Sequence, residues 1–190
     1  FERISCGIPQ LDPVFDNIRL GDNVVWQLSS LADFPYFVNP FVKQCIADNR
    51  PIIYIRFASH DPLVNEQAGV TIYELNPHKG FEAFTIEVRE IITKEGRGVC
   101  YVFDCLSELQ AAWSADLMMG NFFRVTCPYL FELDTVAYFP IIRGGHSFQA
   151  IAKIRDTTQL LIDVYSETPT TNSESATLTP TTNTTIESPK

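Results

Sequence analysis

Asp104 and Glu108 stand four residues apart at the end of an apolar run, Val99-Cys-Tyr-Val-Phe103. If strand passes directly into helix there, the two carboxylates lie one turn apart and offer oxygen ligands to a divalent cation. The plainer reading is that Asp104 caps the helix that follows. Arg143-Gly-Gly-His146 joins two glycines to one fixed and one titratable cation. That is the chemistry of an anion-binding loop, and it is also an ordinary turn. Ser29 and Ser30 end another apolar run and are the remaining anion-binding candidates. His60 and Asp61 precede Pro62 in a turn. Cys105 adjoins Asp104, but no histidine can be assigned to it, so a thiol nucleophile does not follow. There is no nucleophile elbow and no zinc spacing.

These residues need elements to hold them. Apolar runs at 24–28, 51–58, 99–103 and 135–142 read as strands, with shorter ones at 70–75 and 158–164. The run at 99–103 is rich in β-branched and aromatic residues and bounded by Gly98, as expected of a strand buried on both faces. Pro140 puts 135–142 at a sheet edge or ends it. Helical periodicity covers 81–95, with Phe84, Val88, Ile91 and Ile92 on one side. It also covers 32–46, with Phe37, Phe41, Val42 and Cys45 on one face, Asp33 as cap, Pro35 in the first turn and a kink at Pro40. Leu11, Val14 and Phe15 suggest a short helix, and 146–154 another. Residues 107–133 read as helical, divided at Gly120 and interrupted at Cys127-Pro128, with Trp113, Leu117, Phe122 and Phe123 buried. Strand and helix alternate, which predicts an α/β three-layer sandwich with a mostly parallel sheet. Asp104 then falls at a carboxyl strand end, where such sheets place ligands.

Composition narrows the function. The 190-residue chain carries a net charge of −9. Glu167, Glu174 and Glu187 against Lys190 give the last stretch −2, which leaves −7 for residues 1–165. That excess speaks against nucleic acid as partner and against an anionic membrane surface. The 45% apolar share supports one real core. Residues 166–190 are rich in Thr, Ser, Pro and Glu, contain no aromatic residue, and read as a disordered linker or tail. The match to a glycosylation sequon at Asn183-Thr-Thr185 carries no weight in an intracellular chain. Five scattered cysteines, Cys6, Cys45, Cys100, Cys105 and Cys127, read as reduced, buried thiols of a cytoplasmic protein. No run is long enough to cross a bilayer. The start, Phe1-Glu-Arg, is no signal peptide and reads as that of a fragment or a processed product.

The order of motifs resembles a family. Cys6-Gly-Ile-Pro-Gln-Leu-Asp12 is similar to the opening of RecA-like ATPases of the KaiC and RadA type, and Gly21-Asp-Asn-Val-Val25 to their turn into the first strand. Residues 51–59 are similar to their second strand, 99–109 to their magnesium-binding strand, 135–142 to a later strand, and 151–164 to the closing helix and strand. The resemblance covers residues 3–165 and implies the RecA-like P-loop fold, with Asp104 as the magnesium carboxylate. The family's phosphate loop, G-x-x-x-x-G-K-[ST], is not matched. In its place stands Ser29-Ser-Leu-Ala-Asp-Phe-Pro-Tyr36, with no Gly and no Lys. Asp33 would repel a triphosphate, and Pro35 removes an N–H donor. A second resemblance, over Phe103-Asp-Cys-Leu-Ser-Glu-Leu-Gln-Ala-Ala-Trp113 and Asn121-Phe-Phe123, is to the amino-terminal region of large bacterial phosphoenolpyruvate synthase-like proteins.

The expectation is a catalytically inactive RecA-like domain, a regulatory, docking or oligomerisation module of a larger protein. Its partners would be other domains of the parent chain or its own copies, met through the aromatic region 113–131. No cofactor is expected, and Mg-ATP least of all. The alternatives are an accessory domain of a phosphoenolpyruvate synthase or pyruvate phosphate dikinase-like phosphotransferase, and a divergent nucleotide binder using Arg143 and His146.

Overall fold

In order along the chain, the strands are β1 (Arg3–Ile4), β2 (Ile18–Arg19), β3 (Asn23–Leu28), β4 (Ile52–Arg56), β5 (Val70–Glu74), β6 (Cys100–Phe103), β7 (Val136–Ile142), β8 (Leu160–Ser166) and β9 (Thr182–Glu187). The helices are α1 (Pro35–Ala47), α2 (Phe81–Glu95), α3 (Glu108–Trp113), α4 (Asp116–Glu132) and α5 (Phe148–Thr157). This computed structural model describes residues 2–166 and the backbone of 182–187. The main sheet runs β5-β4-β6-β7-β3-β8-β9. Its first six strands pair in parallel, and β9 pairs antiparallel with β8.

Alternation along the buried strands divides the core in two, as the pleat requires. Val24, Trp26, Tyr54, Cys100, Val102 and Tyr138 face one side, where α1 packs with Phe37, Val38, Phe41, Val42 and Cys45. Val25, Ile53, Ile55, Tyr101, Phe103 and Phe139 face the other, under α2, α4 and α5. The result is the expected α/β three-layer sandwich. The inward faces of α1 and α2 are those their periodicity marks.

Several local expectations are corrected. Strand β7 lies at the centre of the sheet, between β6 and β3. Pro140 is tolerated there because its missing N–H points toward β6, whose ladder with β7 stops at Val102↔Tyr138. The carbonyl on that side still accepts the Leu106 N–H at 3.0 Å. The long helical stretch divides at Ser114, which adopts φ 53°, and Gly120 lies inside α4. A Cβ at Gly120 would come within 3.1 Å of Lys153 Cβ, so this glycine lets α4 and α5 pack closely. Pro40 and Pro128 both lie inside continuous helices. The short helix at 11–15 is instead a series of turns between β1 and β2. Asp33 does not cap α1. It sits in a 3-10 turn over Leu31–Asp33 whose cap is Ser30, accepting the Ala32 N–H at 3.2 Å. Leu117 is exposed at 42%, while Phe122 and Phe123 are fully buried.

Candidate functional site

The parallel strands deliver their carboxyl ends to one edge, and most of the residues singled out above meet there. Asp104 follows β6 and is wholly buried. It faces the end of β4, because the two strands are neighbours in register, Ile55 opposite Phe103. One carboxylate oxygen accepts the Tyr54 hydroxyl. The other accepts the backbone N–H groups of Phe57 at 2.9 Å and Ala58 at 3.0 Å. Tyr54 in turn accepts the Leu63 N–H at 2.9 Å, so the carboxylate organises the whole exit of β4. Burial and the Asp104 hydrogen bond push the Tyr54 hydroxyl far above its usual range, so it stays a donor.

His60 lies 3.8 Å from Asp104 and completes this buried group. Its Nε2 accepts the Cys105 N–H at 3.1 Å, which leaves the ring proton on Nδ1, directed at the Asp61 carbonyl 2.8 Å away. The ring is held by β6's exit and holds its own loop. Cys105 is buried and its thiol is pushed up by that burial, so it is no nucleophile. Glu108 begins α3 and is partly exposed. Among the described residues, no group of three or more His, Cys, Asp or Glu side chains is placed to hold a metal ion.

Arg143 and His146 share a loop but belong to separate networks. Arg143 turns back onto the strand ends. Its guanidinium donates to Asp163 at 2.7 Å, to the Val164 carbonyl at 2.8 Å and to the Gln27 carbonyl at 3.1 Å, and it covers the Tyr165 ring at 3.9 Å. It thus clamps β3, β7 and β8 together.

His146 sits between Ser107 and Asp116. Its Nε2 is 2.6 Å from the Ser107 Oγ, and its Nδ1 is 2.7 Å from Asp116 Oδ1. The other Asp116 oxygen accepts the Ser147 N–H at 2.6 Å. Ser107 Oγ also accepts the Ile142 N–H at 2.9 Å, so amide and ring hold the hydroxyl from two sides. The connectivity is that of a nucleophile, base and orienting carboxylate. Its setting is that of a brace: the imidazole is 1% exposed and the hydroxyl is pinned between an amide and the ring. It ties the turn after β6, the loop after β7 and the start of α4. Burial acts to raise Asp116, but the Ser147 hydroxyl and amide and His146 outweigh it and hold the carboxyl below its ordinary range.

Ser29 and Ser30 are exposed, and Ser30 is engaged in capping the turn that stands where a phosphate loop would. The sequence alone missed Tyr54, Ser107 and Asp116. A tyrosine inside an apolar strand and a Ser and Asp within a helical stretch carry no local signal of partnership.

The fold and its braced carboxyl edge define a three-layer α/β protein with a mostly parallel sheet. No protein-family model matches the chain, and no curated protein is detectably similar to it in sequence. Among the described residues no helix is long and apolar enough to cross a membrane.

Proposed function

We propose that this chain is a catalytically inactive RecA-like domain, of the KaiC and RadA type, that works as a regulatory, docking or oligomerisation module without nucleotide. The observation that carries this reading is Asp104. In a P-loop nucleotidase the corresponding carboxylate holds magnesium. Here it is buried and accepts from Tyr54, Phe57 and Ala58, and a cation would have to displace those donors. The exit of β3 supports the same reading. It is a capped 3-10 turn with Asp33 and Pro35 in place of glycines and a lysine. β3 and β6 lie one strand apart with their carboxyl ends on the same edge, as a site shared between them would require.

The divergent nucleotide binder is less well supported, since the two terminal nitrogens of Arg143 are engaged by Asp163 and two carbonyls and the His146 ring is buried. A place in a phosphoenolpyruvate synthase-like phosphotransferase rests on the resemblance over α3 and α4 alone. The test is calorimetry of the folded chain with Mg-ATP, alongside a phosphate-release assay. The expected result is no binding in the micromolar range and no turnover. Micromolar binding would overturn the reading, and its loss in Arg143→Ala would move the phosphate site to the loop after β7.

A further inference from the structure

Cys45 and Cys100 are the two cysteines that meet. Cys45 lies near the carboxyl end of α1 and Cys100 opens β6, 55 residues further on. Their sulfurs are 3.1 Å apart, each side chain is about 1% exposed, and both belong to the apolar layer between α1 and the sheet. Ordinary packing of two sulfurs leaves them wider apart than this, whereas a disulfide needs about 2.05 Å and Cβ atoms roughly 3.8 Å apart. The remaining closure is about one ångström, within the reach of small side-chain rotations.

We propose that Cys45 and Cys100 form a covalent modification site, closing to an intramolecular disulfide that staples α1 to the central strand β6. The reaction removes one hydrogen from each thiol and forms one S–S bond, releasing two protons and two electrons. A small two-electron thiol oxidant takes them: a low-molecular-weight disulfide, which is reduced to two thiols, or diamide, whose N=N bond takes up both hydrogens. The site lies at the amino edge of the sheet, remote from the Asp104 and His146 groups, and does not depend on the function proposed above.

The surroundings set the rate. The hydrogen bond that Cys45 donates to Cys100 and burial both push the Cys45 thiol far up, so almost no thiolate exists at neutral pH in the closed fold. Closure therefore waits on opening of the end of α1 or on the folding step itself, and reopening is equally protected once it is made. The other three cysteines are also buried, and the structure brings none of them sulfur to sulfur with a partner.

The test uses the folded full chain, treated with diamide, then alkylated in denaturant and mapped by mass spectrometry. The expected product is one cross-link joining the Cys45 and Cys100 peptides, with Cys6, Cys105 and Cys127 still alkylated. A Cys6→Ala, Cys127→Ala double variant keeps the cross-link, and Cys45→Ala loses it. Five alkylated thiols after prolonged oxidation of folded protein, or cross-links spread evenly over other pairs, would overturn the proposal. Because wild type and the double variant decide it, a Cys45→Ala chain that fails to fold leaves the result interpretable.

Discussion

Asp104 accepts three hydrogen bonds with no exposure to water, so its stability role can be stated and measured. Asp104→Ala strands a hydroxyl and two amides in the interior. The expected loss is roughly 3–5 kcal/mol, read as a lower urea midpoint at unchanged slope, since each unsatisfied buried donor costs about 1–3 kcal/mol. Asp104→Asn keeps one acceptor oxygen and loses less. A cost below about 1 kcal/mol for the alanine variant would mean that the carboxylate is free for other work.

The acid branch of stability also belongs to single residues. Burial acts to raise Asp12, but the Ser5 hydroxyl at 2.5 Å and the Cys6 amide at 2.8 Å outweigh it and lower its pKa. Asp116 is lowered as described above. A carboxyl depressed in the fold contributes stability that is present above its unfolded value of about 3.9 and is lost as pH falls through the folded value. Asp22 has the opposite sign: burial raises it, against the Arg19 amide, so its ionised form opposes folding and acid relieves that cost. Chemical denaturation across pH 2–6 should show stability falling below about pH 4, with Asp12→Asn flattening the curve. An Asp12→Asn chain with an unchanged acid slope would refute the assignment.

At the scale of elements, Gly7 and α1 are fitted to each other. Gly7 adopts φ +84°, and a Cβ there would lie 2.1 Å from the Pro40 carbonyl oxygen. Neither backbone can yield without moving α1. Gly7→Ala should therefore cost roughly 2–4 kcal/mol, combining left-handed strain with a backbone clash. The check is thermal unfolding against Gly80→Ala, where φ is +101° but the added carbon meets nothing within 4 Å. Equal losses at the two glycines would show that the close approach contributes nothing beyond strain. Pro140 is instructive for the opposite reason. A proline argues against a central strand only if its N–H side faces a partner, and here β6 has already given way to the turn that holds Leu106.

At the scale of the molecule, the parallel sheet is closed at one margin by β5, half-buried and with Glu74 at its end, and at the other by β8 with β9 laid antiparallel on it. A chain ended at Ser166 would leave β8 as an open edge. The expected effect is a melting temperature lower by a few degrees, about 1 kcal/mol for a domain of this size. An unchanged melting point would show that residues 167–190 act as a removable tail, as their composition suggests. The aromatic region 113–131 reads differently in three dimensions. Phe122, Phe123, Cys127 and Leu130 are core, and only Leu117, Val125 and Phe131 present large apolar surface.

Apolar runs and their spacing determined the class of fold, because a strand buried on both faces and a helix buried on one leave periodicities that survive in one dimension. The inward faces of α1 and α2, and the place of Asp104 at a carboxyl strand end, were legible for that reason. Which strands are neighbours was not legible, since parallel pairing joins segments separated by whole helices. That pairing decided everything about the candidate site. It set Tyr54 and the amides of Phe57 and Ala58 on Asp104, because β4 happens to lie beside β6. With the packing of helices on that sheet, it turned Arg143 inward onto Asp163, brought Ser107 and Asp116 to His146, and placed Cys45 of α1 against Cys100. Residue type gives each of these groups its chemistry, but whether a charge is free or already satisfied depends on partners that only the folded chain brings within three ångströms.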